Sequence, residues 1–492
     1  MNFIKVLLVN PRAIVVKALL AFFVLFLAIL FGLIAVTANP LIIGIGIGVI
    51  GGAMLIALPS VAVEILFTVG LLMGVLISFV SSAFSKIPWA LSLMGMLLLL
   101  PTFPSMVKIK RESVPAYIWW AIAFMLYALL ATVLHWNSLV EFLAGFKRYF
   151  QVFGLLMAFA FLSFTNQRYQ RWQTMLLGIA LLQLPFALYE LLVLVPLRGG
   201  LSRGSSTTDV VAGTFGANLE GGSPGIVMVV FLLIVFCFLF SRWRGGLISS
   251  SKTLLFSIIL LFPLGMGENK VAILMLPMVW FILVRHDLVR SPVKYLPVLL
   301  SGVLMTGMLG YVYVDLIMKS NVLDVVQSTI SYNFSDAGYA SSYLNRTTVL
   351  SFWFSQQGLQ DPIGFFFGNG LGSAFRGLIS GHIGMRYPHY GIDLTAASTL
   401  LWDLGVIGLG MFCVIFFSAW RTAGRIYRNS HDAEIRSDCL AVQASISLFL
   451  MLIVYSQDIV NLISMEIVYS VVLGYLAYLH SKHMASVKAL VT

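Results

Sequence analysis

The chain has 492 residues, of which 60% are hydrophobic and 10% charged, and its formal net charge at pH 7 is +11. A water-soluble protein of this length cannot bury so large an apolar fraction, because roughly half of a soluble surface is polar. Long unbroken apolar runs therefore predict an all-α, polytopic helical membrane protein rather than a transmembrane barrel. The basic residues lie between these runs and act as topology signals, so the net charge does not indicate a nucleic-acid partner.

Windows of about 19 residues predict roughly fourteen membrane spans, which form one integral membrane domain over residues 1–492. The first span follows Lys5, Arg12 and Lys17 and leads straight into another, so we expect a retained helix and not a signal peptide. The region 253–285 fits two short helices or one long bent helix. The approximate span limits are 14–37, 41–58, 61–82, 87–105, 115–134, 149–165, 174–196, 223–241, 253–267, 270–285, 295–318, 396–419, 441–457 and 460–479.

The Lys and Arg residues favour one orientation. With the N-terminus in the cytoplasm, most of the 30 basic residues fall in cytoplasmic turns. Both termini are then cytoplasmic, and the loops 197–222 and 319–395 face outward. The long loop 319–395 is predicted to contain an amphipathic helix near 343–359. Because there is no ATP outside a cell, its Gly368-Asn-Gly-Leu-Gly372 segment is interpreted as a tight turn and not as a nucleotide loop.

Basic residues on the outer side run against this charge distribution and are therefore the informative ones. Several Arg and Lys side chains that converge would bind an anionic phosphate head group. For Lys147 and Arg148 the favoured alternative is an interfacial anchor that reaches lipid phosphates, whereas Lys270 fits the pocket somewhat better than an ion pair with Glu268. The remaining outer candidates for a basic pocket are Arg198, Arg203 and Arg346.

Other side chains of the long loop allow two interpretations each. His389 precedes the re-entering helix and is a better catalytic candidate than His382, although a loop His is more often simply solvated. The loop's aromatic residues suit either sugar stacking or an interfacial belt: Tyr332, Phe334, Tyr339, Tyr343, Trp353, Tyr387 and Tyr390. None of Cys237, Cys413 and Cys439 lies in the loop, and no His/Asp cluster has metal-ligand spacing, so we predict no disulfide and no metal.

Four outer segments, in order, resemble the superfamily of bacterial O-antigen ligases and Wzy-type polysaccharide polymerases. Val211-Ala-Gly-Thr-Phe-Gly-Ala-Asn218 is similar to the family's GTFGNPN segment, and Gly267-Glu-Asn-Lys270 to its S-R/K turn. Arg346, Trp353, Asp361-Pro362 and Gly368 to Phe375 resemble its R…W…D-P-x-x-G-x-G-x-G-x-F signature. Leu400 to Gly408 is similar to its L-x-x-E-x-G-x-x-G helix start, so the resemblance covers about residues 200–410.

Two positions differ from the family pattern. Leu394 stands where the family often has a His-Asn pair, and Val210 and Val211 stand where an Arg often precedes GTF. Arg203, ten residues before Gly213, is the nearest substitute for that Arg. These differences favour the polymerases, which are the more divergent members, over the ligases.

The resemblance implies glycosyl transfer outside the membrane from a sugar chain on a polyprenyl diphosphate. The diphosphate leaving group needs positive charge, for which Arg203, Lys270, Arg346 and Arg198 are the candidates. The acceptor hydroxyl needs a base, for which His389, Glu220 and Asp393 are the candidates, in that order. The scheme uses no cofactor and no metal. The expected location is the bacterial cytoplasmic membrane, and the expected partners are lipid-linked donor and acceptor, membrane lipids and, optionally, a chain-length regulator protein.

Three functions remain in competition. The first is a polymerase that joins lipid-linked repeat units into a surface polysaccharide, and the second is a ligase that moves a finished glycan onto a lipid core or a protein. The third is a flippase for lipid-linked sugars. Carriers of that kind usually show internal repeats, whereas residues 1–245 and 246–492 share no similarity.

Overall fold

The computed structural model describes residues 57–77, 87–108, 113–198, 207–219, 222–267, 271–312, 344–376 and 380–491, with isolated positions at 52 and between 314 and 335. The chain divides into two compact units, Met1–Pro59 and Ser60–Thr492, and nearly all of the described residues belong to the second unit. The regular structure of the described residues is entirely helical. The predicted span 14–37 lies outside the described residues, and so does the span 41–58 except for residues 52, 57 and 58.

The helices up to residue 312 are mostly long and apolar. They are α1 (Pro59–Leu71), α2 (Ile87–Leu97), α3 (Leu99–Lys108), α4 (Ala116–Leu134), α5 (Leu139–Phe150), α6 (Phe153–Phe161), α7 (Asn166–Tyr189), α8 (Gly225–Arg244), α9 (Ser250–Leu261), α10 (Ala272–Arg290) and α11 (Pro292–Val312). A π-helical turn at Glu190–Leu194 extends α7 to Arg198, and a 3₁₀ turn at Phe262–Gly265 extends α9. The region 253–285 therefore forms two helices.

The helices beyond residue 344 fall into a short and a long group. The short ones belong to the long loop or to a link: α12 (Thr348–Gln357), α13 (Pro362–Phe367), α14 (His382–Arg386) and α17 (Asp458–Asn461). The long ones are α15 (Ala396–Asn429), α16 (Ala433–Tyr455) and α18 (Ile463–Val491). The helix α12 lies within the range where an amphipathic helix was expected, and it buries Val349, Trp353 and Gln357 on one face.

Among the described residues, eight helical segments are long and apolar enough to cross a membrane. The apolar window of α8 is 83% buried and those of α16 and α18 are 78% buried, whereas that of α7 is only 28% buried. A helix that is apolar all round lies at the centre of a bundle, and one with an exposed apolar face meets lipid. The protein is thus a polytopic helical membrane protein, as the composition predicts. The total number of fourteen spans stays a prediction.

At the predicted span 149–165, helical structure begins before the predicted start of the span. The chain is already helical from Leu139, and the helix breaks at Gln151–Val152. Hydropathy excluded Lys147 and Arg148 from the span because both are charged. In the structure, however, the side chain of Arg148 donates hydrogen bonds to Gln457 and Asn461. At the break, a Cβ on Gly95 would lie 2.4 Å from the carbonyl oxygen of Gln151, so only glycine allows this close backbone approach.

The segment Ala212–Phe215 in the loop 197–222 is buried and includes a 3₁₀ turn at Gly213–Phe215, and polar side chains of α7 and its π-helical extension accept hydrogen bonds from its amides. The amides of Ala212 and Gly213 donate to Glu190 Oε2 at 2.8 and 2.7 Å, and the amide of Thr214 donates to Gln183 Oε1 at 3.0 Å. Non-helical backbone in a membrane protein requires such partners, because lipid offers none. This conformation explains why Glu190 and Gln183 occur in an apolar helix.

The long loop is anchored to the start of α15 by a break in that helix. Gly405 has φ +66°, which leaves the carbonyls of Trp402 and Asp403 without their usual helical donors. The amides of Asn369 and Gly370 donate to these two carbonyls, each at 2.9 Å. The Gly368–Gly372 segment is therefore a turn that caps a helix break, in agreement with its interpretation as structural.

Replacement of Gly405 by alanine should destabilise the protein. A Cβ at this position would lie 2.4 Å from the carbonyl carbon and oxygen of Phe366, and the φ of +66° disfavours any L side chain. We expect a loss of about 1–3 kcal/mol, measured as a lower midpoint of thermal unfolding in detergent.

Gly410 on the same helix is the matched control. A Cβ there meets nothing within 4 Å, so Gly410→Ala should be neutral or stabilise the helix by about 0.5–1 kcal/mol. Equal midpoints for the two variants would contradict the role of the Gly405 break.

Candidate functional site

Arg148 is the centre of a buried polar cluster beneath the long loop. It lies in the last turn of α5, and its side chain is only 5% exposed. Its Nε donates to Asn461 Oδ1 at 2.9 Å and its Nη2 to Gln457 Oε1 at 3.2 Å. The guanidinium also stacks on the ring of Phe375, at 4.2 Å from the ring centroid. Arg148 therefore joins α5 to the link between α16 and α18 and to the long loop.

One nitrogen of this guanidinium has unused hydrogen-bonding capacity. Arg148 Nη1 is buried, and no described residue accepts a hydrogen bond from it. Buried polar groups are almost always paired, and an unpaired one costs free energy. A planar guanidinium with a spare donor suits a carboxylate or phosphate oxygen.

Asp393 faces Arg148 from the end of the long loop. Its Oδ2 lies 4.0 Å from Arg148 Nη2, and the residue is buried. Burial raises the pKa of the Asp393 carboxyl above its ordinary value, and the positive charges of Arg148 and Arg376 offset only part of that rise. A carboxylate with a raised pKa is a stronger base than an exposed one.

Arg376 fixes the turn that precedes Asp393. Its Nη1 donates to the carbonyl of Tyr390 at 2.5 Å and its Nη2 to the carbonyl of Pro388 at 2.6 Å. His389 lies between these two residues and is exposed. The turn therefore holds Asp393 inward and His389 outward.

Glu141 connects the first turn of α5 to the other side of the loop. Its Oε1 lies 2.8 Å from His382 Nδ1, and its Oε2 accepts from the backbone amide of His382 at 3.1 Å. The side chain of Asn137 donates to the same Oε2 at 2.7 Å. Because α5 carries Arg148 two turns later, this contact fixes the loop relative to the cluster.

Asp403 fixes the loop from the opposite direction, on α15. This buried carboxylate accepts hydrogen bonds from the amides of Gly372 and Ala374 at 3.2 and 2.8 Å. It also accepts from the Ser373 hydroxyl at 2.8 Å and the Tyr149 hydroxyl at 3.1 Å. With four donors, Asp403 is a structural group. Asp403 stands at the position of the Glu in the L-x-x-E-x-G-x-x-G helix start that residues 400–408 resemble.

The structure brings two of the predicted site residues to this region. Asp393 contacts Arg148 directly. Arg346 is half-buried, donates from Nε to the carbonyl of Tyr455 at 2.8 Å and stacks on the Tyr455 ring at 4.1 Å. Since Tyr455 ends α16 two residues before Gln457, Arg346 and Arg148 reach the same link between helices.

The side chains of four other predicted site residues lie outside the described part of the chain. Glu220, Arg203 and Lys270 lie outside the described residues, and of Arg198 only the backbone at the end of the α7 extension is described. Their assignment to a pocket stays a prediction.

The anchor interpretation of Arg148 is wrong, because its side chain lies within the protein and does not reach toward lipid. Its partners Gln457 and Asn461 are more than 300 positions away in the chain. One sequence signal was present: polar Gln151, Gln457 and Asn461 interrupt or flank apolar spans and need buried partners. Lys147, by contrast, is half-buried with its ammonium 4.4 Å from the ring centroid of Trp89.

The described loop aromatics mainly form a core within the loop. Trp353 is buried and stacks on Phe365 with centroids 5.1 Å apart. Phe352 stacks on Tyr390 at 4.9 Å, and Tyr387 packs against buried Trp402 at 5.7 Å. Trp353 is therefore neither a sugar platform nor an interfacial anchor. Tyr332, Phe334, Tyr339 and Tyr343 lie outside the described residues.

Fold and site together define a polytopic helical membrane protein with a buried arginine–aspartate pair under a folded loop. Comparisons with protein-family models, with curated proteins and with solved structures found no match.

Proposed function

We propose that the protein is a glycosyltransferase of the bacterial cytoplasmic membrane that polymerises oligosaccharide repeat units carried on polyprenyl diphosphate into a cell-surface polysaccharide. The observation that carries the proposal is the buried Arg148 with its spare Nη1 donor, 4.0 Å from Asp393 at the base of the loop. The ordered resemblance of residues 200–410 to O-antigen ligases and Wzy-type polymerases supports it. Lipid-linked donor and acceptor are the substrates, and no metal or cofactor takes part in the scheme.

The reaction needs a cation and a base at one place. A hydroxyl oxygen of the acceptor sugar attacks the anomeric carbon of the donor, and the bond from that carbon to the diphosphate oxygen breaks. The bonding electron pair leaves with the diphosphate, whose new negative charge requires stabilisation. The hydroxyl proton must pass to a base within hydrogen-bond reach.

Arg148 and Asp393 fit these two roles. The spare Nη1 of Arg148 would bind a diphosphate oxygen, and Arg346, which reaches the same link, would add a second positive charge. The Asp393 carboxylate would take the proton, since its raised pKa favours proton uptake. His389, on the exposed turn, is the second candidate base, and Glu220 the third.

The function is tested with the purified full-length protein in vesicles that contain lipid-linked repeat units. Growth of a ladder of product lengths supports the polymerase. Transfer to an added lipid-core or protein acceptor, without a ladder, would identify a ligase. Movement of head groups across the bilayer without new glycosidic bonds would identify a flippase and refute the proposal.

The proposed base predicts the pH dependence of turnover. Asp393 must be ionised to accept a proton, so turnover should fall as the pH drops through its raised pKa. The positive charge of Arg148 lowers the pKa of Asp393. Arg148→Gln removes that charge and should therefore move the acidic limb of the pH–rate profile to higher pH in any residual activity. Arg148→Lys places its charge at a different position and should also move this limb. The measurement is the rate of polymer formation against pH.

Substitutions at the two loop candidates separate their roles. Asp393→Asn keeps the shape of the side chain but cannot take up the proton, and should reduce turnover by roughly 100-fold or more. His389→Ala should leave turnover close to that of the unmodified protein. The reverse order of effects would make His389 the base.

A further inference from the structure

A second polar cavity lies far from Asp393, toward the other end of α15. It has a volume of about 450 Å³ and opens between the start of α4, the C-terminal half of α15 and α18. At 1.5 Å per residue, Ala396 and Arg421 on α15 are separated by roughly 37 Å. The cavity is therefore distinct from the Arg148 cluster, and the orientation predicted from the basic residues places it near the cytoplasmic surface.

The rim of this cavity is positively charged. Arg421 and Arg425 line it and are one turn apart on the same face of α15. Both residues are exposed. Of the described residues that line the cavity, none carries a carboxylate. A negatively charged group placed here would thus meet two arginines and no acidic lining residue.

The start of α4 adds to this positive potential. Its N-cap is Pro115, which also lines the cavity. The unpaired amides at a helix N-terminus carry partial positive charge and bind anions. The hydroxyl-bearing Ser418 lines the same space.

The inner end of the cavity is apolar and exposed. Val414 and Phe417 precede Arg421 on the same face of α15, and Trp120 faces them from α4. Phe417 is 53% exposed and Trp120 43% exposed. The lining thus changes from basic to aromatic and apolar along the helix axis, which is the order of head group and acyl chain in a membrane lipid.

We propose that this cavity binds an anionic phospholipid of the adjacent leaflet, with its phosphate between Arg421 and Arg425 and its acyl chain against Phe417 and Trp120. Basic pockets between membrane helices on the cytoplasmic side suit lipid head groups, and anionic lipids are drawn to that surface. The proposal depends on the membrane character of the protein and is independent of its enzymatic function.

The test is native mass spectrometry of the purified full-length protein in detergent, titrated with phosphatidylglycerol. The variant is Arg421→Gln with Arg425→Gln. The matched control is Lys252→Gln with Arg290→Gln, which removes two exposed charges from α9 and α10 that do not line the cavity. Phosphatidylcholine with the same acyl chains and inorganic phosphate are the competing probes.

We expect the control to bind phosphatidylglycerol like the unmodified protein, and the Arg421/Arg425 variant to bind it about 30-fold more weakly, at about 1 kcal/mol per arginine. If the double variant is not monodisperse, each single substitution should weaken binding by about 5-fold. Three results would overturn the proposal: equal affinity of variant and control, equal affinity for phosphatidylcholine, or full displacement of the lipid by inorganic phosphate, which would indicate a site for the free anion.

Discussion

Replacement of Arg148 by glutamine is expected to reduce polymer formation by roughly 100- to 1,000-fold, the usual effect of removing one donor that stabilises developing charge. The substitution removes the charge and the Nη1 donor that the proposed diphosphate would use. The measurement is the initial rate of ladder growth in vesicles, with protein amount and monodispersity checked in parallel. Arg148→Lys keeps the charge but not the planar fork and should recover only part of the rate.

The neighbouring Lys147 provides the control for Arg148. It belongs to the same helix turn, but its ammonium lies over the Trp89 ring and not within the cluster. Lys147→Gln should therefore leave the rate within a few-fold of the unmodified protein. An equal loss in both variants would show that general positive charge, and not the Arg148 geometry, matters.

A structural explanation for a loss at Arg148 can also be tested. Its removal leaves buried Asp393 without its nearest positive charge, which by itself destabilises the fold. The double variant Arg148→Gln with Asp393→Asn removes both charges and should recover stability but not activity. Recovery of activity together with stability would assign Arg148 a purely structural role.

Replacement of Asp403 by alanine should cause the largest loss of stability among the substitutions considered. It leaves the amides of Gly372 and Ala374 without their acceptor in a buried site and removes the shorter of the two hydrogen bonds that the Ser373 hydroxyl donates. Each unsatisfied buried donor costs about 1–3 kcal/mol, and we expect a total of about 3–5 kcal/mol after relaxation. The measurements are the thermal unfolding midpoint in detergent and the rate of proteolysis within residues 344–395.

Asp361 is the matched control in the same loop. It is exposed, and its carboxylate accepts hydrogen bonds from the amide of Gly364 and the side chain of Gln357 at 3.1 and 2.8 Å. Asp361→Ala should cost only about 0.5–2 kcal/mol, as for other helix N-caps. Asp403→Asn keeps one acceptor oxygen and should be intermediate between the two alanine variants. Unchanged proteolysis in Asp403→Ala would contradict its role as the loop's anchor.

The sequence located part of the candidate site. Asp393 and Arg346 were named from their positions in the long loop 319–395, and both reach the region of the Arg148 cluster. Arg148 itself was left between pocket and lipid anchor, because an Arg at the end of an apolar run looks the same in both cases. Its partners Gln457 and Asn461 come from the link between α16 and α18, more than 300 positions away in the chain, and no local pattern connects them with Arg148.

The sequence by itself determined the class of this protein. Its apolar content requires a membrane, and long apolar runs in a membrane require helices, because lipid cannot satisfy backbone hydrogen bonds. Hydropathy also found the apolar part of most described helices. It missed the polar turns by which α7, α15 and α18 extend beyond those limits, since hydropathy measures transfer into lipid and not helix formation.

Only the tertiary structure decided what the polar residues inside that apolar chain do. Asp403 and Glu141 hold the loop in place, and Arg148 and Asp393 form a buried pair with one donor to spare. The physical reason is that burying a charge is unfavourable without partners, and those partners lie on distant segments that only folding brings together.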